Sequence, residues 1–170
     1  MPRPFLVLGN LAVALAVTAF QVVALLGSAL ARGIDFHAGL VGLGWLLPAA
    51  VLFAVGMYGA AEALAGRVPR QEEYIARVPA IAIVPWFIAG ALFPITALPS
   101  FLTWIARFLP LTHGLALMRY GLLGDSSGLH DIWGSGSSTS MALLSLAVVA
   151  LFTLVVTVGS IRVFNRTAVK

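Results

Sequence analysis

The chain stays apolar from Phe87 to Gly124 although proline interrupts it three times. Its prolines and isolated basic residues are, in order, Pro94, Pro99, Arg107, Pro110, His113 and Arg119. A solvated loop would be polar, and a membrane-spanning helix would run for about 20 apolar residues without charges. Irregular backbone at membrane depth persists only where protein or a water-filled cavity satisfies its polar groups. The pattern therefore predicts a pair of short re-entrant or interfacial helices, over about residues 98–124, at one face of a membrane.

Composition indicates that the whole chain is an integral membrane protein. Of its 170 residues, 61% are hydrophobic and 9% are charged, whereas a soluble domain is about 25% charged. The ten lysines and arginines form no basic patch and no aromatic-basic stripe, so the sequence does not indicate nucleic-acid binding. The chain has no cysteine, which excludes disulfides and thiolate chemistry.

Four apolar segments predict membrane-spanning helices, at about residues 5–30, 40–64, 78–93 and 141–163. The third is the shortest, and Pro85 is expected to kink it, whereas Pro79 falls in its first turn, where proline is tolerated. The Gly/Ser-rich segment from Gly124 to Ser140 is expected to be a loop, with a flexible linker at 134–140. The sequence thus predicts an all-α polytopic membrane protein with a single domain over residues 1–170. In it, the re-entrant pair lies between the third and fourth spans.

The distribution of lysine and arginine predicts the orientation of these spans. With four spans, both termini share one side of the membrane, and seven of the ten basic residues fall on that side. Because cytoplasmic segments carry the excess of these residues, both termini and the charged loop at 66–77 are expected in the cytoplasm. The re-entrant pair is then expected at the outer face.

Signatures of catalysis and of metal binding do not occur in the sequence. It contains no H-E-x-x-H, no G-x-S-x-G and no phosphate-binding glycine loop with lysine. His37, His113 and His130 lack the spacing of a metal site, so each is interpreted as a surface or interfacial histidine. No catalytic residue and no metal ligand is therefore assigned. The alternative from another class is a membrane-embedded lipid or sugar transferase, which would use outer-face residues: His113, Arg119 and Asp125 or Asp131.

Polar residues within the spans recur on single helix faces, at about 100° per residue. They are Asn10, Gln21 and Ser28 in the first span, and Thr153, Thr157 and Ser160 in the fourth. Such groups usually face a bundle interior, where they hydrogen-bond between helices or line a path. Helix packing is the commoner role, and a substrate path is the functional alternative. In the second span, Gly56, Gly59, Ala60 and Ala63 predict a small-residue face for close helix packing.

The stretch described first resembles the C-terminal signature of ABC type-2 transporter permeases, in particular the drug-resistance and nodulation-export branch. The matching elements are AGALFP at 89–94, Leu98-Pro99, an apolar helix to Phe108, PLTH at 110–113, Arg119 and Gly124. The flanking spans are similar to the third to sixth helices of that family, so the resemblance covers nearly the whole chain.

The resemblance implies a permease subunit of an ATP-driven ABC exporter in the plasma membrane of a bacterium. Such a subunit moves a hydrophobic or amphiphilic substrate outward through the interface of a permease homodimer or heterodimer. It binds no cofactor itself, because ATP and magnesium belong to a separate cytoplasmic ABC ATPase. The family's re-entrant helices lie at the outer face, where the lysine and arginine count also places this segment.

The resemblance also implies roles for particular residues. The substrate path would include Asn10, Gln21, Ser28, Thr153 and Thr157. Contact with the ATPase would come from Arg70, Gln71, Glu72 and Glu73. The re-entrant gate would consist of Pro94, Pro99, Arg107, Pro110, His113 and Arg119.

The chain departs from the family at its start. Such permeases look like six-span proteins with an amphipathic cytoplasmic helix before the first span, whereas this chain opens at what would be the third span. An N-terminally truncated permease is therefore expected. An accessory membrane subunit without transport of its own is a further alternative.

Overall fold

The computed structural model describes residues 3–36, 39–68 and 70–167, and all regular secondary structure in these ranges is helical. The α-helices are α1 (Arg3–Ala31), α2 (Leu40–Ala65), α3 (Gln71–Ile88), α4 (Ser100–Phe108), α5 (Pro110–Leu123), α6 (Ser127–Trp133) and α7 (Ser138–Thr167). A short 3-10 helix covers Ile95–Ala97. The prediction of an all-α fold is confirmed for the described residues.

Helices α2 and α7 pack side by side and run in the same direction. Gly56 lies against Thr153, and Gly59, one turn later, lies against Thr157. The Thr153 hydroxyl donates a hydrogen bond to the Leu52 carbonyl oxygen across this contact, at 2.7 Å. Small residues let helix backbones approach closely, so the predicted packing face of the second span is confirmed at both glycines. Because the two helices are parallel, their C-terminal ends lie at the same end of the bundle.

Helix α5 packs against the first half of α2 in the opposite direction. A Cβ on Gly121 would lie 2.7 Å from the Gly42 carbonyl oxygen, and one on Gly114 would lie 3.6 Å from the Phe53 ring. Backbone contact this close requires glycine at position 121. The buried core lies between α2, α5, α6 and α7, and includes Ala49, Leu117, Leu129 and Val149. The core therefore lies towards the end of the bundle where α2 and α7 begin.

Within the described residues, three helical segments are long and apolar enough to cross a membrane: Gly9–Ala31, Leu40–Ala65 and Ser138–Arg162. They correspond to the first, second and fourth predicted spans. The bent pair α4–α5 makes a fourth candidate if it is counted as one broken span. The segment expected as the third span does not meet this criterion on its own.

That third segment differs from the sequence expectation of 78–93, because α3 begins at Gln71 and ends at Ile88. Glu72 and Glu73 occupy its first turn, where acidic residues stabilise a helix N-terminus. Pro79 consequently lies inside the helix and not in its first turn. The 18 residues of α3 extend about 27 Å, which carries the chain back along the bundle towards the beginning of α2.

The segment from Gly124 to Ser140 is not a loop throughout, because it contains α6 and the start of α7. Asp125 accepts hydrogen bonds from the Ser127 backbone N–H and hydroxyl, both at 2.9 Å. These bonds hold the pKa of the Asp125 carboxyl below its usual range. The Ser137 hydroxyl oxygen accepts from the Ser140 N–H at 3.3 Å, as an N-cap does. The expectation of a flexible linker at 134–140 is wrong for its second half, where serines cap and begin a helix.

Candidate functional site

Helix α4 is anchored to the chain before it through Thr103. The Thr103 hydroxyl oxygen lies 2.9 Å from the Ile95 carbonyl oxygen and 3.1 Å from that of Leu98. It also lies 3.3 Å from the Pro99 carbonyl oxygen, and because a hydroxyl has one hydrogen to donate, the three acceptors share it. Helix α4 begins directly after Pro99. The Thr103 hydrogen bonds hold the 3-10 helix, which follows Pro94, against the first turns of α4.

The other face of α4 is apolar and exposed. Phe101, Trp104 and Phe108 are 71%, 63% and 66% exposed, and the rings of Trp104 and Phe108 pack with their centroids 4.8 Å apart. Arg107 is exposed in the last turn of the same helix. Aromatic residues accumulate at membrane–water interfaces, so α4 has the composition of an interfacial helix.

A sharp break separates α4 from α5. Leu109 has extended backbone, with φ −73° and ψ 124°, because a proline disfavours helical backbone in the residue before it. Pro110 itself occupies the first turn of α5, where its missing N–H removes no helical hydrogen bond. The two helices differ in direction by 79°. The break leaves the last carbonyl groups of α4 without partners in a continuing helix.

His113 bridges this break. Its Nε2 lies 2.9 Å from the Arg107 carbonyl oxygen, and its Nδ1 lies 3.1 Å from the Ser145 Oγ. The Trp133 indole N–H donates to the same Oγ at 2.9 Å. His113 is 1% exposed and Ser145 is 0% exposed. One buried hydrogen-bond network therefore joins α4, α5, α6 and α7.

The partners of His113 decide which ring nitrogen carries the proton. A carbonyl oxygen only accepts, so Nε2 carries the hydrogen and donates to Arg107. The Ser145 oxygen accepts from the Trp133 indole, which leaves the Ser145 hydroxyl hydrogen to donate to Nδ1. Every polar atom of the network is satisfied by the neutral ring. The interpretation of His113 as a surface or interfacial histidine is wrong, because it is a buried cap on the end of α4.

Arg119 forms a second junction, between α5 and the end of α3. Its guanidinium donates to the Gly90 carbonyl oxygen at 2.7 Å and lies 3.4 Å from that of Ala91. Gly90 has a φ of +82°, and a Cβ there would lie 2.9 Å from the Ile95 Cγ2. Both observations require glycine in this turn. A cation close to a helix C-terminus is also favourable, so Arg119 stabilises the position of the α3 end relative to α5.

A cavity of about 20 Å³ lies beside this second junction. Thr112, Arg119 and Asp131 contribute polar side chains to its lining. Thr112 is 4% exposed, and within the described residues its hydroxyl has no hydrogen-bond partner. The volume suits a single water molecule, which would satisfy that hydroxyl.

The structure brings the predicted gate residues into one segment held by these two junctions. They are Pro94, Pro99, Arg107, Pro110, His113 and Arg119. The prolines begin or break helices, the Arg107 carbonyl receives the His113 hydrogen bond, and Arg119 holds the end of α3.

The predicted path residues do not share one lining within this chain. Asn10, Gln21 and Ser28 are exposed on α1, and the Ser28 hydroxyl bonds to a carbonyl of its own helix at 2.8 Å. Thr153 is buried between α7 and α2, and the Thr157 hydroxyl is buried without a partner in the described residues. Helix packing is therefore the structural role of Thr153, whereas the polar residues of α1 are exposed, like most of that helix.

The predicted ATPase-contact residues lie together at the beginning of α3. Arg70 precedes the first turn, and Arg70, Gln71 and Glu72 line an open concave surface. Glu73 forms an exposed ion pair with Arg77 at 3.3 Å. The group is accessible for contact with another protein.

The remaining histidines add no further cluster. His130 is exposed, and its Nδ1 lies 2.9 Å from the Ser126 carbonyl oxygen. His37 lies outside the described residues. Among the residues that the structure does describe, no three His, Asp or Glu side chains converge on a point that could hold a metal ion.

Sequence reasoning missed Ser145 and Trp133. The available signal for Ser145 was a hydroxyl within the apolar run at the start of the fourth span, eight residues before Thr153. Trp133 gives no local signal, because it lies within the Gly/Ser-rich segment whose composition predicts a loop.

Comparison with known protein families identifies the family of this chain. A model of the ABC-2 type transporter family matches residues 1–123, which include α1 to α5 and both residues, His113 and Arg119, that make the junctions. Helices α6 and α7 lie beyond the matched residues. No curated protein and no solved structure gives a significant match. The chain belongs to the ABC-2 type transporter family.

Proposed function

We propose that the chain is the permease subunit of an ATP-driven exporter that moves a hydrophobic or amphiphilic substrate out of a bacterial cell. The observation that carries the proposal is the match to the ABC-2 type transporter family over residues 1–123. The membrane domain of this family is a transport component and is not itself catalytic. Hydrolysis of ATP is therefore assigned to a separate cytoplasmic ABC ATPase.

The substrate path lies between two permease chains. Asn10, Gln21 and Ser28 are exposed on α1, and polar groups within a membrane favour a protein or water-lined surface over lipid. A second permease, identical or different, would cover this face. The substrate would then pass between the two chains and not through a single chain.

The re-entrant gate moves as a unit. The His113 network binds α4 and α5 to α7, and the Arg119 junction binds α5 to the end of α3. A displacement of α3 would therefore be passed through Arg119 to the bent pair. Because α3 begins at the residues assigned to the ATPase contact, this helix provides a direct mechanical connection from the cytoplasmic face to the gate.

The experiment that tests the function is recovery of the partner ATPase. The tagged chain, solubilised from its native membranes, should co-purify with an ABC ATPase identified by mass spectrometry. Reversing Glu72 and Glu73 to lysine should reduce that recovery several-fold, because charged groups at an interface rim steer association. Asp35→Lys, in the exposed loop after α1, is the matched control and should leave recovery unchanged.

The exporter proposal fails if no ABC ATPase accompanies the chain. It also fails if the purified chain shows an ATP-independent transferase activity. An exposed ion pair contributes little to stability, so loss of the Glu73–Arg77 pair alone does not account for a several-fold drop in recovery.

A further inference from the structure

A groove separates α3 from the packed pair α2–α7. Its volume is about 410 Å³, and its walls are mainly apolar, with Met57, Ala60 and Leu64 from α2, Ile81 from α3, and Val156 and Gly159 from α7. Small side chains keep it open, since a Cβ on Gly159 would meet no atom within 4 Å. Atoms that face an empty space lose dispersion contacts, so the groove favours an apolar occupant.

Among the described residues that line the groove, one is charged, Arg67. It follows the last turn of α2, and within the described part of the chain its guanidinium forms no hydrogen bond or ion pair. Arg162 is exposed one turn beyond Gly159, and the parallel arrangement of α2 and α7 places it towards the same end. The acid of α2, Glu62, lies on the opposite face of that helix and is hydrogen-bonded to Tyr58. The charged side chain in the described groove lining is therefore a cation.

We propose that this groove binds an anionic phospholipid, with an acyl chain between α3 and the α2–α7 pair and the head-group phosphate at Arg67. Arginine forms strong charge-assisted hydrogen bonds with phosphate, and basic pockets between membrane helices attract anionic head groups. A flexible acyl chain matches an elongated apolar space that the side chains leave unfilled. This lipid is a resident component that packs α3 against the bundle. It is distinct from a transported substrate and requires no ATPase.

Native mass spectrometry of the 170-residue chain tests the proposal, with phosphatidylglycerol or phosphatidylcholine added to the detergent micelles. The unmodified chain should retain phosphatidylglycerol in preference to phosphatidylcholine. Gly159→Leu places a side chain in the groove and should abolish retention of both lipids. Gly27→Leu is the matched control, because a Cβ there also meets no atom within 4 Å and the residue lies on α1, so it should retain lipid normally.

Charge recognition has its own pair of variants. Arg67→Gln should lower retention of phosphatidylglycerol about fivefold, the effect of one arginine on an anionic lipid, without changing retention of phosphatidylcholine. Arg32→Gln, at the end of α1, should change neither.

Equal retention of the two lipids by the unmodified chain would overturn the proposal. So would equal retention by Gly159→Leu and Gly27→Leu. A changed oligomeric state in Gly159→Leu, with lipid binding intact, would assign the groove to a second copy of the chain instead. The lipid measurement contains no ATPase and no transport step, so a negative result there does not contradict the exporter proposal. Likewise, failure to recover an ATPase does not contradict the lipid site.

Discussion

The Nε2 of His113 lies 2.9 Å from the carbonyl oxygen of Arg107, across the 79° break between α4 and α5. A side chain of the second helix thus performs the capping that a continuing helix would have performed. The hydrogen bond satisfies one carbonyl at the end of α4 that the proline break leaves without a helical partner. The angle between α4 and α5 therefore depends on the His113 imidazole.

Replacing His113 by leucine should destabilise the fold. The substitution leaves the Arg107 carbonyl without its buried donor and the Ser145 hydroxyl without its acceptor, and each such loss costs about 1–3 kcal/mol. His130→Leu is the control, because His130 is exposed, and it should stay within about 0.5 kcal/mol of the unmodified chain. Thermal unfolding in detergent measures both. Equal unfolding temperatures for the two variants would contradict the capping role.

Gly90→Ala should also destabilise the fold, because alanine must adopt a φ of +82° with its Cβ 2.9 Å from the Ile95 side chain. Backbone strain of this kind costs roughly 1–3 kcal/mol. Gly27→Ala, in the interior of α1 with open space around it, should be neutral or stabilising by about 0.5–1 kcal/mol. Equilibrium unfolding of both variants gives the difference. A Gly90→Ala variant as stable as Gly27→Ala would rule out a strained turn at the Arg119 junction.

The parts of the fold that depend on local sequence could be predicted. Long apolar runs mark three of the spans, and the prolines at 94, 99 and 110 mark the breaks. The parallel packing of α2 and α7 also agrees with an arrangement in which the second and fourth spans share a direction. These features follow from apolar length and from the backbone restrictions of proline.

The parts that depend on distant partners could not be predicted. His113 and Ser145 are 32 residues apart in sequence, and nothing near either residue indicates the other. Arg119 bonds to a carbonyl 29 residues earlier, an acceptor that every residue carries and that has no sequence signal. The burial of a polar residue, and hence its role as a cap, is decided by tertiary packing that a single sequence does not display.

The orientation of the chain can be tested with introduced thiols, because the native chain has no cysteine. Ser135→Cys and Gln71→Cys both lie at exposed positions, one before α7 and one at the start of α3. An impermeant thiol reagent applied to intact cells should label position 135 and not position 71, since the distribution of basic residues predicts that α3 begins in the cytoplasm. Labelling of both positions after cell lysis confirms that each is accessible. Labelling of position 71 in intact cells would reverse the assigned orientation and remove the ATPase contact from the start of α3.

The exposed aromatic face of α4 should lie in the membrane interface. Phe101→Asp puts a charge among Trp104 and Phe108, which are more than half exposed. A charge costs about 2.5–3.5 kcal/mol at the bilayer centre and less towards the boundary, so this variant should lose stability in lipid nanodiscs. Ile105→Asp, on the same helix, should behave similarly, whereas Ser135→Asp at an exposed polar position should be tolerated. Unfolding is followed by tryptophan fluorescence in nanodiscs, because the prediction requires a lipid interface. If both α4 variants are as stable as Ser135→Asp, then α4 is a water-exposed helix and the interfacial assignment fails.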